Sequence, residues 1–199
     1  MARKKHLQKK NRQTNTLRII GGEWRSRKLQ FEDAPNLRPT PDRVRETLFN
    51  WLQGSIHGAQ CLDLFAGSGA LGLEALSRGA KEVIFVEKMA HVATQIEANL
   101  TILNADSPVI NSDATSFLEN TEQTFNIIFL DPPFRKNLLP TTLKLIIEKK
   151  FLGENGLIYL EHETEEEFDW SEYGLSLLKE TGAGQVKSCL LERVRSAKK

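Results

Sequence analysis

From Cys61 onward, short apolar runs and longer amphipathic stretches take turns along the chain, the pattern left by strands alternating with helices. Cys61 to Phe65 reads as a strand, Gly72 to Arg78 as a helix closing at Gly79, and Val83 to Val86 as the next strand. Val92, Ile96, Leu100 and Leu103 recur at helical spacing and stripe the following helix. Val109-Ile110, Ala114 to Leu118, Ile127 to Leu130, Thr141 to about Lys150 and Leu157 to Leu160 continue the alternation, strand and helix in turn. Strands joined through helices pair in parallel, so the pattern predicts a parallel α/β sheet. Leu175 to Leu178 and Val186 to Val194 flank Thr181-Gly182-Ala183-Gly184, which predicts two antiparallel strands at the end.

Ahead of the sheet, residues 1–16 lack apolar periodicity and read as a flexible arm. Leu17-Arg18-Ile19-Ile20, the Gly21-Gly22 pair and Lys28-Leu29-Gln30-Phe31 read as a small β-hairpin with basic flanks, an extension covering residues 17–36. A helix then begins: Thr40 suits the N-cap, Pro41 the first helical position and Asp42 the positive helix end. Val44, Leu48 and Leu52 give it an apolar stripe, and Gly54 follows its end.

The net charge of +1 conceals an asymmetry: residues 1–28 carry +9 and the rest of the chain −8. Such an arm can follow a polyanion, nucleic acid first, although a solvated tail has the same composition. Arg18, Arg25, Arg27 and Lys28 are the candidate phosphate contacts in the hairpin, and Trp24 among them is a candidate for stacking on RNA. A chain of 199 residues buries roughly 70% of its unfolded surface and needs no disulfide or metal staple. Cys61 and Cys189 lie far from each other and from metal-ligand spacing, so two reduced, buried thiols and no metal are expected. No apolar run nears the ~18 residues of a membrane span, and MARKKHLQKK leads into no apolar segment, so a cytoplasmic protein is expected.

Chemistry concentrates at three places. In DLFAGSGALG, from Asp63 to Gly72, a strand ends in Phe65-Ala66 and a glycine loop with Gly67 and Gly69, where backbone can approach a ligand closely. Glu87 ends the next strand 18 residues after Gly69, placed to accept from both hydroxyls of an adenosine ribose. The alternative is a tight turn beside a solvated strand end. Asp63 would repel a pyrophosphate and attract the ammonium of a methionine moiety, so charge favours S-adenosylmethionine over NAD. Second, Asp113-Ala114 follows the third strand; its carboxylate can accept from an adenine amino group while its backbone donates to the ring, and it equally suits an N-cap.

The third place is Asp131-Pro132-Pro133-Phe134, after the apolar run Ile127 to Leu130. Two prolines cannot continue a sheet, so they fix a stiff turn at the ligand-binding edge. The exocyclic amine of a nucleobase is a poor nucleophile; the Asp131 carboxylate and the Pro132 carbonyl can bind its two hydrogens and favour pyramidalisation as a methyl group arrives. Phe134 offers a face on which the base stacks, and Arg135 and Lys136 are further phosphate candidates. The acidic run from Glu161 to Glu167 reads as a solvated loop facing away from RNA, with His162 structural.

At these residues the chain resembles the class I S-adenosylmethionine-dependent amino-methyltransferases. LRPTPDRVRETLFNWL and RIIGGEWRSRKL make it similar, more narrowly, to the bacterial 16S rRNA guanine-N2 methyltransferases of the RsmD type, over about Leu17 to Arg195. The resemblance implies a Rossmann-like, seven-stranded, mostly parallel sheet with an antiparallel C-terminal hairpin over residues 37–199, and a small N-terminal β-hairpin. It implies a monomer acting on a guanine of 16S rRNA, guanine 966, in the small ribosomal subunit or its assembly intermediate. Asp63, Phe65, Ala66, Gly67, Gly69, Glu87, Asp113 and Ala114 would line the cofactor pocket, and Arg38, Thr40 and Arg43 would close it. Asp131, Pro132, Pro133 and Phe134 would hold the guanine amine. An adenine-N6 DNA methyltransferase and a noncatalytic RNA-binding assembly factor remain the rival expectations.

Overall fold

The computed structural model describes residues 14–32, 40–134 and 136–194. Arg38, Arg135 and residues 1–13 of the expected arm lie outside them. Strands β1 (Thr14–Arg18) and β2 (Lys28–Glu32) form the antiparallel hairpin, with Leu17 opposite Leu29 and both buried. The strand thus starts inside the stretch read as arm. Its first residues are polar because only one face of this small sheet is covered, and an uncovered strand gives no apolar signal.

Helix α1 (Asp42–Trp51) follows, and here the capping expectation fails: Pro41 holds the cap position with no side-chain cap bond, while Thr40 is buried and points elsewhere. Then come β3 (Gln60–Asp63), α2 (Ala70–Ser77), β4 (Glu82–Glu87), α3 (Ala90–Leu103), β5 (Val109–Asn111), α4 (Ala114–Asn120), β6 (Phe125–Leu130), α5 (Leu138–Glu148) and β7 (Leu152–Glu163). β8 (Leu175–Ala183) and β9 (Val186–Arg193) make the closing hairpin.

The seven strands pair in the order β5-β4-β3-β6-β7-β9-β8, the first five parallel and β9 antiparallel to both its neighbours. This is the mostly parallel sheet with a reversed final hairpin that the resemblance implies. Chain order reverses between β3 and β6, which makes their carboxyl ends the switch point where open α/β sheets leave a crevice.

Alternation along each strand divides the core into two layers. Cys61, Val83, Phe85, Ile127, Phe129, Tyr159 and Leu190 face α1, α2, α3 and the hairpin. Leu62, Ile84, Ile128, Leu130, Ile158, Leu160 and Cys189 face α4 and α5. Trp24 and Trp51 are half-buried and pack against the first layer. The hairpin is tied to α2 by close approach: the Glu23 N–H donates to the Ser77 carbonyl at 2.7 Å. Gly22, at φ 77°, permits this contact, since a Cβ there would stand 1.8 Å from that carbonyl oxygen. Among the described residues no helix is long and apolar enough to cross a membrane.

Candidate active site

The same alternation places the chemistry. Continuing the first layer's rows to the carboxyl edge, Cys61 leads to Asp63, Phe85 to Glu87, Phe129 to Asp131 and Tyr159 to Glu161. The register aligns Asp63 with Phe129 and Leu130 with Leu160, so these carboxylates gather on the α1 side of the switch point.

The glycine loop is held open between β3 and α2. Gly67 and Gly69 have φ of 51° and 77°, a conformation that costs any residue with a Cβ, and Gly69 caps α2. Ala66 N–H donates to the Val86 carbonyl at 3.0 Å, tying the loop to β4. Glu87 is buried, with one oxygen accepting from Gly67 N–H at 2.9 Å and the other from Met89 N–H at 2.7 Å. It braces the loop, and each of its oxygens retains a lone pair for a ribose hydroxyl. Phe65 is half-buried and Ala66 buried in the same loop.

Asp63 is buried and accepts from Gly72 N–H at 3.0 Å, inside the first turn of α2. Burial pushes its carboxyl up to about 7, and the Glu87 charge adds to this, against the Gly72 bond, which favours the anion. A carboxyl raised from 3.8 to about 7 on folding makes the native state bind more protons across that window, so its contribution to stability falls as pH rises through it. Asp63→Asn is therefore expected to gain at least about 1 kcal/mol on the wild type between pH 4 and pH 7, read from urea titrations at each pH. Parallel pH slopes for the two proteins would refute the assignment.

Asp113 is the N-cap of α4: its carboxylate accepts from Ser116 N–H at 3.1 Å and from the Ser116 hydroxyl at 2.9 Å, and it stays half-exposed. Ala114 behind it is buried. Asp131 opens the turn after β6, where Thr40 Oγ1 donates to its Oδ2 at 3.4 Å. Pro132 is buried, Pro133 exposed, and Phe134 leaves 42% of its surface open beside the turn. Burial raises the Asp131 carboxyl well above the ordinary range, and the charges of Glu161 and Asp63 raise it further.

Glu161 corrects the reading of the acidic run. It and His162 are buried in β7, and only Thr164 to Glu167 form the exposed turn. Tyr159 Oη donates to Glu161 Oε1 at 2.6 Å. His162 points to the other face, edge-on to Phe168 and Trp170, which is the structural role expected of it.

Two further residues that spacing does not reveal complete the site. Arg45 is buried; its Nε donates to the Thr40 carbonyl at 3.2 Å and its Nη2 to the Arg18 carbonyl at 3.0 Å and to Asp42 at 2.6 Å. It holds Thr40 over Asp131, whereas Arg43, two residues earlier, is exposed on α1. Ser188, opposite Glu161 in β9, is buried. Of the basic candidates, Arg25, Arg27, Lys28 and Lys136 are exposed, and Arg18 is exposed in an ion pair with Asp42 at 2.8 Å. A cavity of about 350 Å3 lies at the opposite end of the sheet, between Trp51, Gly156, Leu178 and Leu190, and no candidate residue lines it.

The model of the family Conserved hypothetical protein 95 matches residues 17–192. The chain is 51% identical over 178 residues to ribosomal RNA small subunit methyltransferase D of Escherichia coli strain K12, across 89% of this chain and 90% of that protein. It is 47% identical over 175 residues to the protein of the same name from Haemophilus influenzae, across 85% and 90%. The solved structure of Escherichia coli yhhF is similar at a TM-score of 0.81 and 49% identity, covering 90% of this chain and 98% of that one. A Thermus thermophilus 16S rRNA N2 methyltransferase in complex with AdoMet and guanosine shares the fold, with a TM-score of 0.67 at 22% identity over 91% of this chain and 50% of that one. Identity near one half, sustained over most of both chains, leaves one placement: this chain belongs to the family of ribosomal RNA small subunit methyltransferase D.

Proposed function

We propose that this protein transfers a methyl group from S-adenosylmethionine to the exocyclic N2 amine of a guanine in 16S rRNA, guanine 966 by family resemblance. It acts as a monomer on the small ribosomal subunit or its assembly intermediate. The coarser activity, an S-adenosylmethionine-dependent methyltransferase acting on ribosomal RNA, is that of the family. The observation that carries the finer reading is the Asp131 turn: a carboxylate and an exposed aromatic ring at the switch point, across from the glycine loop and Glu87.

The residues present fit the cofactor. Asp63, Asp131 and Glu161 are carboxyl groups that form no ion pair with a basic side chain among the described residues, and buried carboxylates call for a cation. A dinucleotide would bring more negative charge to them; a sulfonium with an ammonium brings positive charge. When bound, the cofactor supplies an activated methyl group on a sulfonium sulfur. Glu87 and Asp113 are placed to hold ribose and adenine, and Asp63 to face the methionine end. Asp131 and the Pro132 carbonyl orient the amine, and Phe134 stacks on the base. Exposed Arg25, Arg27, Lys28 and Lys136 meet phosphates.

Small subunits lacking the modification, incubated with the protein and labelled S-adenosylmethionine, are expected to incorporate label into a single RNase fragment of 16S rRNA as N2-methylguanine, identified by mass spectrometry. Labelled adenine in a DNA substrate in place of RNA would overturn the reading in favour of a DNA amino-methyltransferase. Absence of transfer to either would favour a noncatalytic assembly factor.

A further inference from the structure

The methyl-transfer reading gives Glu161 no part, yet its surroundings are constructed around it. Hydroxyls and carboxyls pair across the site: Tyr159 donates to Glu161 at 2.6 Å and Thr40 to Asp131 at 3.4 Å, with Ser188 opposite Glu161 in β9. A threonine hydroxyl has one proton and donates to one carboxyl at a time. The donors are divided unequally. Glu161 has the short bond from Tyr159; Asp131 has the long Thr40 bond alone among the bonds of the described residues.

Glu161 is buried and Asp131, its neighbour across the β6–β7 register, half-buried, and two such carboxyls with no ion-pair partner resist ionising together. The groups facing the pair are Asp63 and Glu87 from β3 and β4, Tyr159 from β7, and Thr40 and Arg45 from the α1 side. Arg45 is the one cation in that set; its Nε and Nη2 donate to Thr40, Arg18 and Asp42, and its Nη1 stands 3.7 Å from Glu74. Lys136, Glu163 and Glu166 line the shallow cavity on the outer side of Glu161. Charge therefore settles on Glu161, where the donors are, and the proton on Asp131.

We propose that Glu161 is a positioning residue that keeps Asp131 a neutral acid until the positively charged cofactor enters, so that binding S-adenosylmethionine expels a proton from the site. This rests on the reading above, in which Asp131 orients the amine that the sulfonium methyl group approaches. The directions of the carboxyl shifts agree with it: burial raises both groups, the charges of Glu161 and Asp63 raise Asp131 further, Thr40 opposes the rise at each, and Tyr159 opposes it at Glu161 alone. The consequence is a site that acquires its acceptor only when the methyl donor is present. In the transfer itself the N–C bond forms as the C–S bond breaks, the electron pair stays on sulfur, and one N–H proton passes to the ionised Asp131 and then to water.

Calorimetry of the full-length protein in two buffers of different ionisation enthalpy counts the protons. At pH 7 the wild type is expected to release about one proton or more per S-adenosylmethionine bound, Asp63 adding to Asp131. The neutral thioether S-adenosylhomocysteine should release clearly fewer. Glu161→Gln removes the charge that keeps Asp131 protonated, so its release should fall by at least about half a proton while binding persists. Glu161→Asp should restore part of it. Infrared difference spectra of the wild type need no variant: a protonated-carboxyl band should disappear on adding S-adenosylmethionine, remain with S-adenosylhomocysteine, and be absent from Asp131→Asn. Equal proton release from wild type and a folded Glu161→Gln, or a band unchanged by S-adenosylmethionine, would overturn the proposal. Failure of the wild type to bind S-adenosylmethionine would instead overturn the cofactor assignment beneath it.

Discussion

Replacing Asp131 with alanine is expected to lower the methyl-transfer rate about 100-fold or more, a loss of about 2.7 kcal/mol in transition-state stabilisation, while S-adenosylmethionine affinity should change only a few-fold. The asymmetry follows from where each interaction is made. In the proposed reading Glu87 and the Gly67 to Gly69 loop, joined by the Gly67 N–H to Glu87 bond, hold the cofactor before chemistry starts, and they are untouched by the substitution. The carboxylate of Asp131 meets an amine whose positive charge grows only as the methyl group arrives, so its hydrogen bond strengthens in the transition state alone. Such a residue changes the chemical step more than binding. Alanine also removes one of three crowded carboxyls, so the melting temperature should hold or rise, which separates the effect from unfolding. Single-turnover transfer to small subunits measures the rate, and a wild-type rate would remove Asp131 from the chemistry.

The path from sequence to this site was legible wherever local pattern and tertiary position agree. Apolar runs ending in Asp63, Glu87 and Asp131 place those residues at strand ends, and parallel order puts all three on one edge. Glu161 lies at the equivalent end of the next parallel strand, but four further carboxylates up to Glu167 masked it as part of a solvated run. Comparing the rows Ile127-Phe129-Asp131 and Leu157-Tyr159-Glu161 would have found it, since both alternate onto the same face. Thr40 was misread for another reason. Threonine, proline and aspartate in succession satisfy every local rule for a helix start, and the hydroxyl is taken instead by a partner 91 residues away. Arg45 gave no local signal, because an arginine on a helix is normally a solvated one and its partners come from the hairpin and from α2.

Substituting Glu74 with alanine is expected to destabilise the fold by about 3 to 5 kcal/mol, a large part of a single domain's margin. Glu74 sits in the apolar run ALGLEALS of α2, fully buried. Its carboxylate accepts from Ile20 N–H and Gly21 N–H, both at 2.8 Å, and from Arg78 Nε at 2.7 Å, with Arg45 Nη1 at 3.7 Å. Alanine leaves two backbone donors of the hairpin without their acceptor and two guanidinium groups facing an apolar helix. Glu74→Gln keeps the shape and one acceptor oxygen but loses the charge, so an intermediate loss is expected. Urea unfolding measures both, and a loss below about 1 kcal/mol for alanine would show that the network does not hold the fold. Hydrogen exchange localises the effect, with the Ile20 and Gly21 amides expected to lose protection in the alanine variant. A double-mutant cycle with Arg45→Met should return a coupling of at least about 1 kcal/mol, because the two side chains share one buried charge balance. The cost should then reach the active site through Arg45: this guanidinium holds the Thr40 carbonyl, and the Thr40 hydroxyl donates to Asp131, so loosening the hairpin slackens the donor on the acceptor carboxyl.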